Sequence, residues 1–304
     1  MAYAVHTSAA RSASSNPPFS DGGGAKTAVA AWCRPRPNSG RSRRVFSLPI
    51  PSPVHVASTS GQAGRLWVYA ADDRASGSTT TPATWYRFTP GRTGAHPQAH
   101  LAGVGGFLQA DAYAGYDGLY RSGVTKVACW AHFHRKVFDL HERSPTPLTD
   151  DILDRIGALC AVEAEVRGQR TDARHRTRQN RTTPLVGALR DVLDATPRRL
   201  SPMSDIAKAI VYGTKRWPAF CRFLDDGQLE IDNNIAERTL RGIAAGRRHW
   251  PFAGSRAGGE RASAIYTVIQ TCKANGVDPE AYIADVIAKV ADDGPASRWD
   301  ELMP

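Results

Sequence analysis

Two carboxylates in this sequence sit where acids do chemistry. Asp111 directly follows the run Phe107-Leu-Gln-Ala110. That places it at the carboxyl end of a predicted strand, where α/β sheets gather ligands. A turn or helix-cap role would use the same acid. Glu237 lies within Glu230-Ile-Asp-Asn-Asn-Ile-Ala-Glu-Arg-Thr-Leu-Arg241. Asp232, Asn233 and Asn234 read as a helix N-terminus, and Glu237 falls three residues after Asn234, which is also capping-box spacing. Arg238 and Arg241 follow within little more than one helical turn. A metal-binding carboxylate beside phosphate-binding guanidiniums has this pattern, and so does a surface ion-pair face.

Two further clusters mix cations with aromatic or soft groups. Cys129-Trp-Ala-His132-Phe-His134-Arg135-Lys136 reads as a basic helix start with His132 partly buried. A zinc site there would need a second ligand pair, and none stands nearby in sequence. Arg247-Arg248-His249-Trp250, followed by Gly254-Ser-Arg256, combines cations with a stacking ring and a flexible turn. That mix suits contact with a nucleic-acid backbone and bases, or a solvated loop.

The elements that must hold these residues follow from periodicity. Arg65–Ala70, Thr84–Phe88, Gly106–Ala110 and Thr125–Cys129 read as strands, with room for a crossover helix around Gly115 to Leu119. Two hairpin-like strands followed by strand–helix–strand predict an α/β fold with a mixed sheet. From about 145 to 228 the pattern is all-helical. Ile152, Ile156, Leu159, Val162 and Val166 recur at three- and four-residue steps, an Arg-rich polar stretch runs from Arg167 to Arg181, and Pro218 predicts a break or kink. Near the end, Ala264, Ile265, Val268, Ile269 and Cys272 predict one buried helix face. Asn275-Gly276 predicts a stop, and Asp278-Pro279-Glu280 starts a last helix with the stripe Tyr282, Ile283, Val286, Ile287 and Val290.

Residues 1 to about 50 differ in texture. They carry seven basic residues and a single acid, Asp21, among Ser, Pro, Gly and Ala without apolar period. Such a segment buries too little surface to offset chain entropy, which predicts disorder. Overall the chain has 304 residues, 41% of them hydrophobic, and a net charge of +10. The excess of cations points to a polyanionic partner. No apolar run approaches the roughly 20 residues of a membrane helix. Five scattered cysteines without a CxxC pair fit a reducing compartment, so the expected setting is cytoplasmic, at the nucleoid, with each cysteine a small buried hydrophobe.

Taken together, several of these segments resemble the insertion sequence 66 family of transposases. The matching residues are Gly64-Arg-Leu-Trp-Val-Tyr69, Leu108-Gln-Ala-Asp-Ala-Tyr-Ala-Gly-Tyr116, Cys129-Trp-Ala-His132, Asp232-Asn-Asn-Ile-Ala-Glu-Arg238 and Gly246-Arg-Arg-His-Trp250. The tail Ile265 to Tyr282 looks like the family's short C-terminal segment. The resemblance implies a ribonuclease-H-like core whose Asp, Asp, Glu triad binds two Mg²⁺ or Mn²⁺ ions. Asp111 matches the second acid and Glu237 the third. It implies DNA as partner, both transposon ends and target, with self-association and helper transposition proteins. Arg135, Lys136, Arg238, Arg241, Arg247, Arg248 and Trp250 are the expected DNA contacts.

One departure bears on activity. The family's first acid precedes a Thr-Pro-Val-like segment, here Ser52-Pro53-Val54, yet Leu48-Pro-Ile-Pro51 carries no acid. Asp72 and Asp73, after the first strand, are the substitute candidates. The family's N-terminal zinc module and coiled-coil-like helix are also not visible, so residues 1–50 are expected to be a non-family segment from a frameshift or mis-assigned start. The expected domains are 51–144 and 229–255 as a split catalytic core, 145–228 as a helical insertion, and 256–304 as a C-terminal helical segment. The expected function is DNA strand cleavage and transfer, impaired by the missing acid. The alternative is a non-catalytic DNA-binding or transposase-interacting remnant.

Overall fold

The computed structural model describes residues 45–48, 52–55, 63–196, 201–246 and 253–291, all within the compact unit Asn38–Pro304. The sheet strands are β1 (Val45–Leu48), β2 (Ser52–His55), β3 (Ala63–Ala71) and β4 (Ala83–Thr89). After helix α1 (Ala95–His100) come β5 (Gly106–Ala110), helix α2 (Asp117–Arg121) and β6 (Val124–Val127). Leu66 pairs with Ser52 on one edge and Phe88 on the other; Ala70 likewise pairs with Ser47 and Thr84. So β1 and β2 follow one another along one edge of β3, and β4 lines its other edge. β1, β5 and β6 run parallel, while β3 and β4 are antiparallel to their neighbours. The sheet is mixed, as the strand spacing predicts.

Burial explains why this sheet forms. Leu66 to Ala70 are all buried, because β3 lies inside the sheet with both faces covered. β4 alternates between buried and half-exposed positions, as an outer strand does. Two boundaries differ from the sequence reading. Val45–Leu48, inside the segment expected to lack structure, forms a strand between β3 and β5. The rest of residues 1–50 lies outside the described residues. β6 stops at Val127 rather than Cys129, because Ala128 N–H donates to the Ala219 carbonyl and Trp130 N–H to Ile231.

The middle of the chain is helical: α3 (Trp130–Arg143), α4 (Pro147–Val166), α5 (Thr171–Thr177), a π-turn at Arg178–Thr182, α6 (Thr183–Ala195), α7 (Asp205–Thr214) and α8 (Trp217–Asp225). α4 starts on a capping box between Thr146 and Thr149 with Pro147 in its first turn. Its expected stripe Ile152, Ile156, Leu159, Val162 and Val166 is buried. Pro218 opens α8 instead of kinking a longer helix. Phe107, Val127, Trp130 and Phe133 share one core with Ile156, Leu189, Ile210 and Phe220, so the helices extend the sheet's own core. The Arg167–Arg181 stretch is not a plain polar surface: Arg174 and Arg178 are among the most deeply buried side chains.

Three helices close the chain: α9 (Asn234–Gly246), α10 (Arg256–Ala274) and α11 (Pro279–Ala291). The buried face of α10 is Gly259, Ser263, Thr267, Thr271 and Cys272; of the expected apolar face only Cys272 is buried, Val268 and Ile269 are half-buried, and Ile265 is 55% exposed. The reason is its partner, β4. Tyr86 N–H donates to Thr267 Oγ1 at 2.9 Å and Thr84 N–H to Thr271 Oγ1 at 3.3 Å, while the Thr271 hydroxyl donates to the Thr84 carbonyl. Hydroxyls satisfy the backbone groups that β3 leaves open. Gly276 adopts a left-handed φ of 69° and Asp278 caps α11 through Ala281 N–H, both as predicted. The α11 stripe is not buried: Tyr282, Ile283 and Val286 are half-buried and Ile287 is exposed. Of the described cysteines, Cys129 and Cys272 are buried, Cys221 is half-buried and Cys160 is exposed, against expectation.

Candidate active site

The parallel strands β1, β5 and β6 all end on one side of the sheet, and the candidate residues gather there. Asp111 follows β5, and His132 sits in the first turn of α3, just after β6. Glu237 lies in the first turn of α9. Three bonds bring α9 to this edge. Gln109 Nε2 donates to the Glu230 carbonyl at 2.6 Å, Trp130 N–H to the Ile231 carbonyl at 3.1 Å, and Asn233 N–H to Cys129 Sγ at 3.5 Å. Asp232 then accepts from Asn234 N–H at 2.9 Å, and the helix starts.

Asp111 and Glu237, far apart in sequence, interact here. Burial raises the Asp111 carboxyl to about 6, against a bond from Tyr113 N–H and the charge of Lys126. Burial also raises Glu237, and the Asp111 charge raises it further; a hydrogen bond from Asn233 and the charge of Arg241 oppose this. The Asp111 carboxylate is used on one side only. Oδ1 accepts from Tyr113 N–H at 3.1 Å, whereas Oδ2 is buried without a donor. His132 is a neighbour that sequence reasoning left outside the acid pair. Its Nε2 lies 3.8 Å from Glu237 Oε1. Burial, then Lys136 and Arg135, lower its pKa, against the charge of Asp232. The signal was the position of His132 after a strand; the contact itself depends on α9.

A buried carboxylate with an unsatisfied oxygen and a half-buried one whose pKa it raises make an acceptor-rich spot suited to a hard cation. A cation would satisfy Asp111 Oδ2 and offset the effect of the Asp111 charge on Glu237. Among the described residues no group of three or more His, Cys, Asp or Glu side chains is placed to hold a metal.

A family model described as "Transposase IS66 family" matches residues 51–261, and one described as "IS66 C-terminal element" matches 267–304. The chain belongs to the IS66 transposase family. The matched span contains both Asp111 and Glu237. Two relatives from Sinorhizobium fredii are named only as uncharacterized proteins. The protein y4hP is 38% identical over 258 residues, 79% of this chain and 47% of that protein. The protein y4qI is 36% identical over 271 residues, 86% of this chain and 50% of that protein. The chain thus spans about half the length of the curated relatives it matches. No solved structure matches.

Other residues expected to serve an IS66 transposase separate into groups. Arg135, Lys136, Arg238 and Arg241 are exposed on α3 and α9, the two helices that carry His132 and Glu237. Lys136 lies over the Tyr212 ring at 4.8 Å. Arg247, Arg248 and Trp250 lie outside the described residues. Asp72 and Asp73 do not join the pair. Ala70 pairs with Ser47, which pairs with Gln109, and antiparallel β3 then runs away from Asp111. At that far end Asp72 binds Arg74 at 2.5 Å and Asp73 accepts from Gln228 at 2.9 Å. No helix among the described residues is long and apolar enough to cross a membrane.

Proposed function

We propose that this chain is a transposase core that acts on DNA by metal-dependent phosphoryl transfer, with Asp111 and Glu237 as its catalytic carboxylates, and that it is impaired for lack of a third. The observation that carries the reading is that Asp111, at the carboxyl end of β5, and Glu237, in the first turn of α9, come to the same edge, where Gln109, Trp130 and Asn233 tie the start of α9 to the strand ends. The order β4, β3, β1 with β2, β5, β6, with β1, β5 and β6 parallel, supports a ribonuclease-H-like core. The helices between β6 and α9 then correspond to an insertion domain.

The residues divide the work. Asp111 and Glu237 would hold Mg²⁺ or Mn²⁺ through hard oxygens. A bound divalent ion supplies charge stabilisation at the scissile phosphate and a more acidic nucleophile. Asn233 and His132 flank the Glu237 carboxylate and limit its rotation. Arg135, Lys136, Arg238 and Arg241 would neutralise DNA phosphates around the pair. The impairment follows from register. Leu48 pairs with Ala110, the residue before Asp111, and the residues that continue from Leu48 are Pro49, Ile50 and Pro51. No carboxylate is available there to complete a triad, which mis-sets geometry at the reacting phosphate.

The test is Mn²⁺- or Mg²⁺-dependent nicking or strand transfer on DNA bearing transposon ends, measured for wild type, Asp111→Asn and Glu237→Gln. Slow metal-dependent cleavage abolished by either substitution supports the reading; cleavage that survives both removes it. A second reading is a non-catalytic DNA-binding or transposase-interacting remnant, favoured in that no group of three metal-ligating side chains is found among the described residues. That reading expects salt-sensitive DNA binding with no cleavage under any metal.

A further inference from the structure

The Glu237 helix is held in place from an unexpected direction. Between α8 and α9 the chain crosses from the helical region back to the strand ends without regular structure over most of residues 226–233. Its carbonyls need donors, and two buried guanidiniums supply them. Arg178 Nη1 donates to the carbonyls of Phe223 at 2.7 Å and Asp226 at 3.0 Å, and Nη2 to Leu229 at 2.9 Å. Arg174 Nη2 adds a longer bond to the Leu229 carbonyl and a short one to the Glu230 carboxylate. Arg167 Nη2 reaches the other Glu230 oxygen at 3.2 Å. The charges are balanced from below by Glu163 of α4, which takes Arg178 on both oxygens at 2.7 and 2.6 Å. Arg174, Arg178 and Glu163 are all nearly inaccessible to solvent.

Burying three charges is a poor way to gain stability, since apolar side chains of similar volume often serve as well. What apolar side chains cannot do is fix three backbone carbonyls and one carboxylate in one geometry. The crossing then reaches the site at once: the Glu230 carbonyl accepts from Gln109, two residues before Asp111, and Ile231 and Asn233 bind the start of α3.

We propose that Glu230 and Arg174 are positioning residues that fasten the first turn of α9, and with it Glu237, to helices α4 and α5. The inference rests on the reading of Glu237 as a site carboxylate. It makes the helical region part of the active-site scaffold and not only an appended domain.

The experiment uses the full chain. Backbone hydrogen exchange by mass spectrometry and Mn²⁺ binding by electron paramagnetic resonance are compared for wild type, Glu230→Gln and Arg174→Met. Glu165→Gln, which breaks the exposed ion pair with Arg181, is the control. Glu230→Gln should speed exchange across residues 230–241 by about tenfold while α4 and α10 keep their protection. Mn²⁺ affinity should fall by about tenfold, as for other residues that orient ligands without touching the ion. Arg174→Met should give the same local pattern, and Glu165→Gln neither effect. Unchanged exchange at 230–241 in Glu230→Gln overturns the proposal, and so does an equal rise along the whole chain. A wild type that binds no Mn²⁺ removes the metal reading alone; the exchange of residues 230–241 then decides the clamp by itself.

Discussion

Asp111 spends one oxygen on a local turn and leaves the other buried without a donor. This asymmetry has a cost that can be measured without any substrate. A carboxyl raised from 3.8 to about 6 on folding disfavours the folded state once it ionises. The penalty is absent below the ordinary carboxylate pKa, grows as pH rises through about 6, and is then worth roughly 3 kcal/mol. Asp111→Asn should therefore raise the Tm at pH 8 in chelator, with the gain vanishing near pH 4; scanning calorimetry at both pH values checks it. A gain of equal size at pH 4 would show that ionisation is not its source. A second expectation concerns Asp72, which lies at the end of β3 away from Asp111: Asp72→Asn should leave Mn²⁺ affinity unchanged, read by titration calorimetry. The positions of Asp111 after β5 and of Glu237 in the first turn of α9 were legible in the sequence because each stands at the end of an element with its own local signature. Arg174 and Arg178 were not. Arginine is usually exposed, and their burial depends on Glu163 and on carbonyls that only the fold brings near.

At the scale of elements, α10 shows how periodicity can identify a helix and misplace its face. Ile265, Val268 and Ile269 recur at helical spacing, so they predict the buried side. The side that packs is set by β4, whose outward backbone groups need hydroxyls more than methyls. Thr267→Val keeps the volume and leaves Tyr86 N–H buried without an acceptor. It should lower stability by about 1–3 kcal/mol in urea unfolding, whereas Ile265→Ala, at an exposed position, should stay within about 0.5 kcal/mol. Equal effects of the two would mean that α10 packs by area alone. Strands β3 to β6 and the α4 stripe were legible because their partners are apolar surfaces, for which periodicity is a sufficient guide; the short strands β1 and β2 carried no such pattern and were missed. The break between α7 and α8 was legible only in part: Pro218 marks a helix start as readily as a kink, and local sequence does not separate the two.

The molecule as a whole closes its sheet with the part of the chain that comes last. β5 and β6 are covered by the helices of the middle region, and β4 by α10, whose start lies in the first family match and whose end lies in the second. A chain ended at residue 255 would keep Asp111, Glu237 and every helix of the middle region, yet it would lay bare the amides of Thr84 and Tyr86 along a seven-residue strand. Such a rim is a template for strand addition. The shortened protein should therefore assemble through that rim into soluble oligomers or aggregates, visible by light scattering, and a Lys placed at an outward-facing β4 position should disperse them. On this view the Thr267 and Thr271 hydroxyls do more than hold a helix: they keep one copy of the protein from reading another as the next strand of its own sheet.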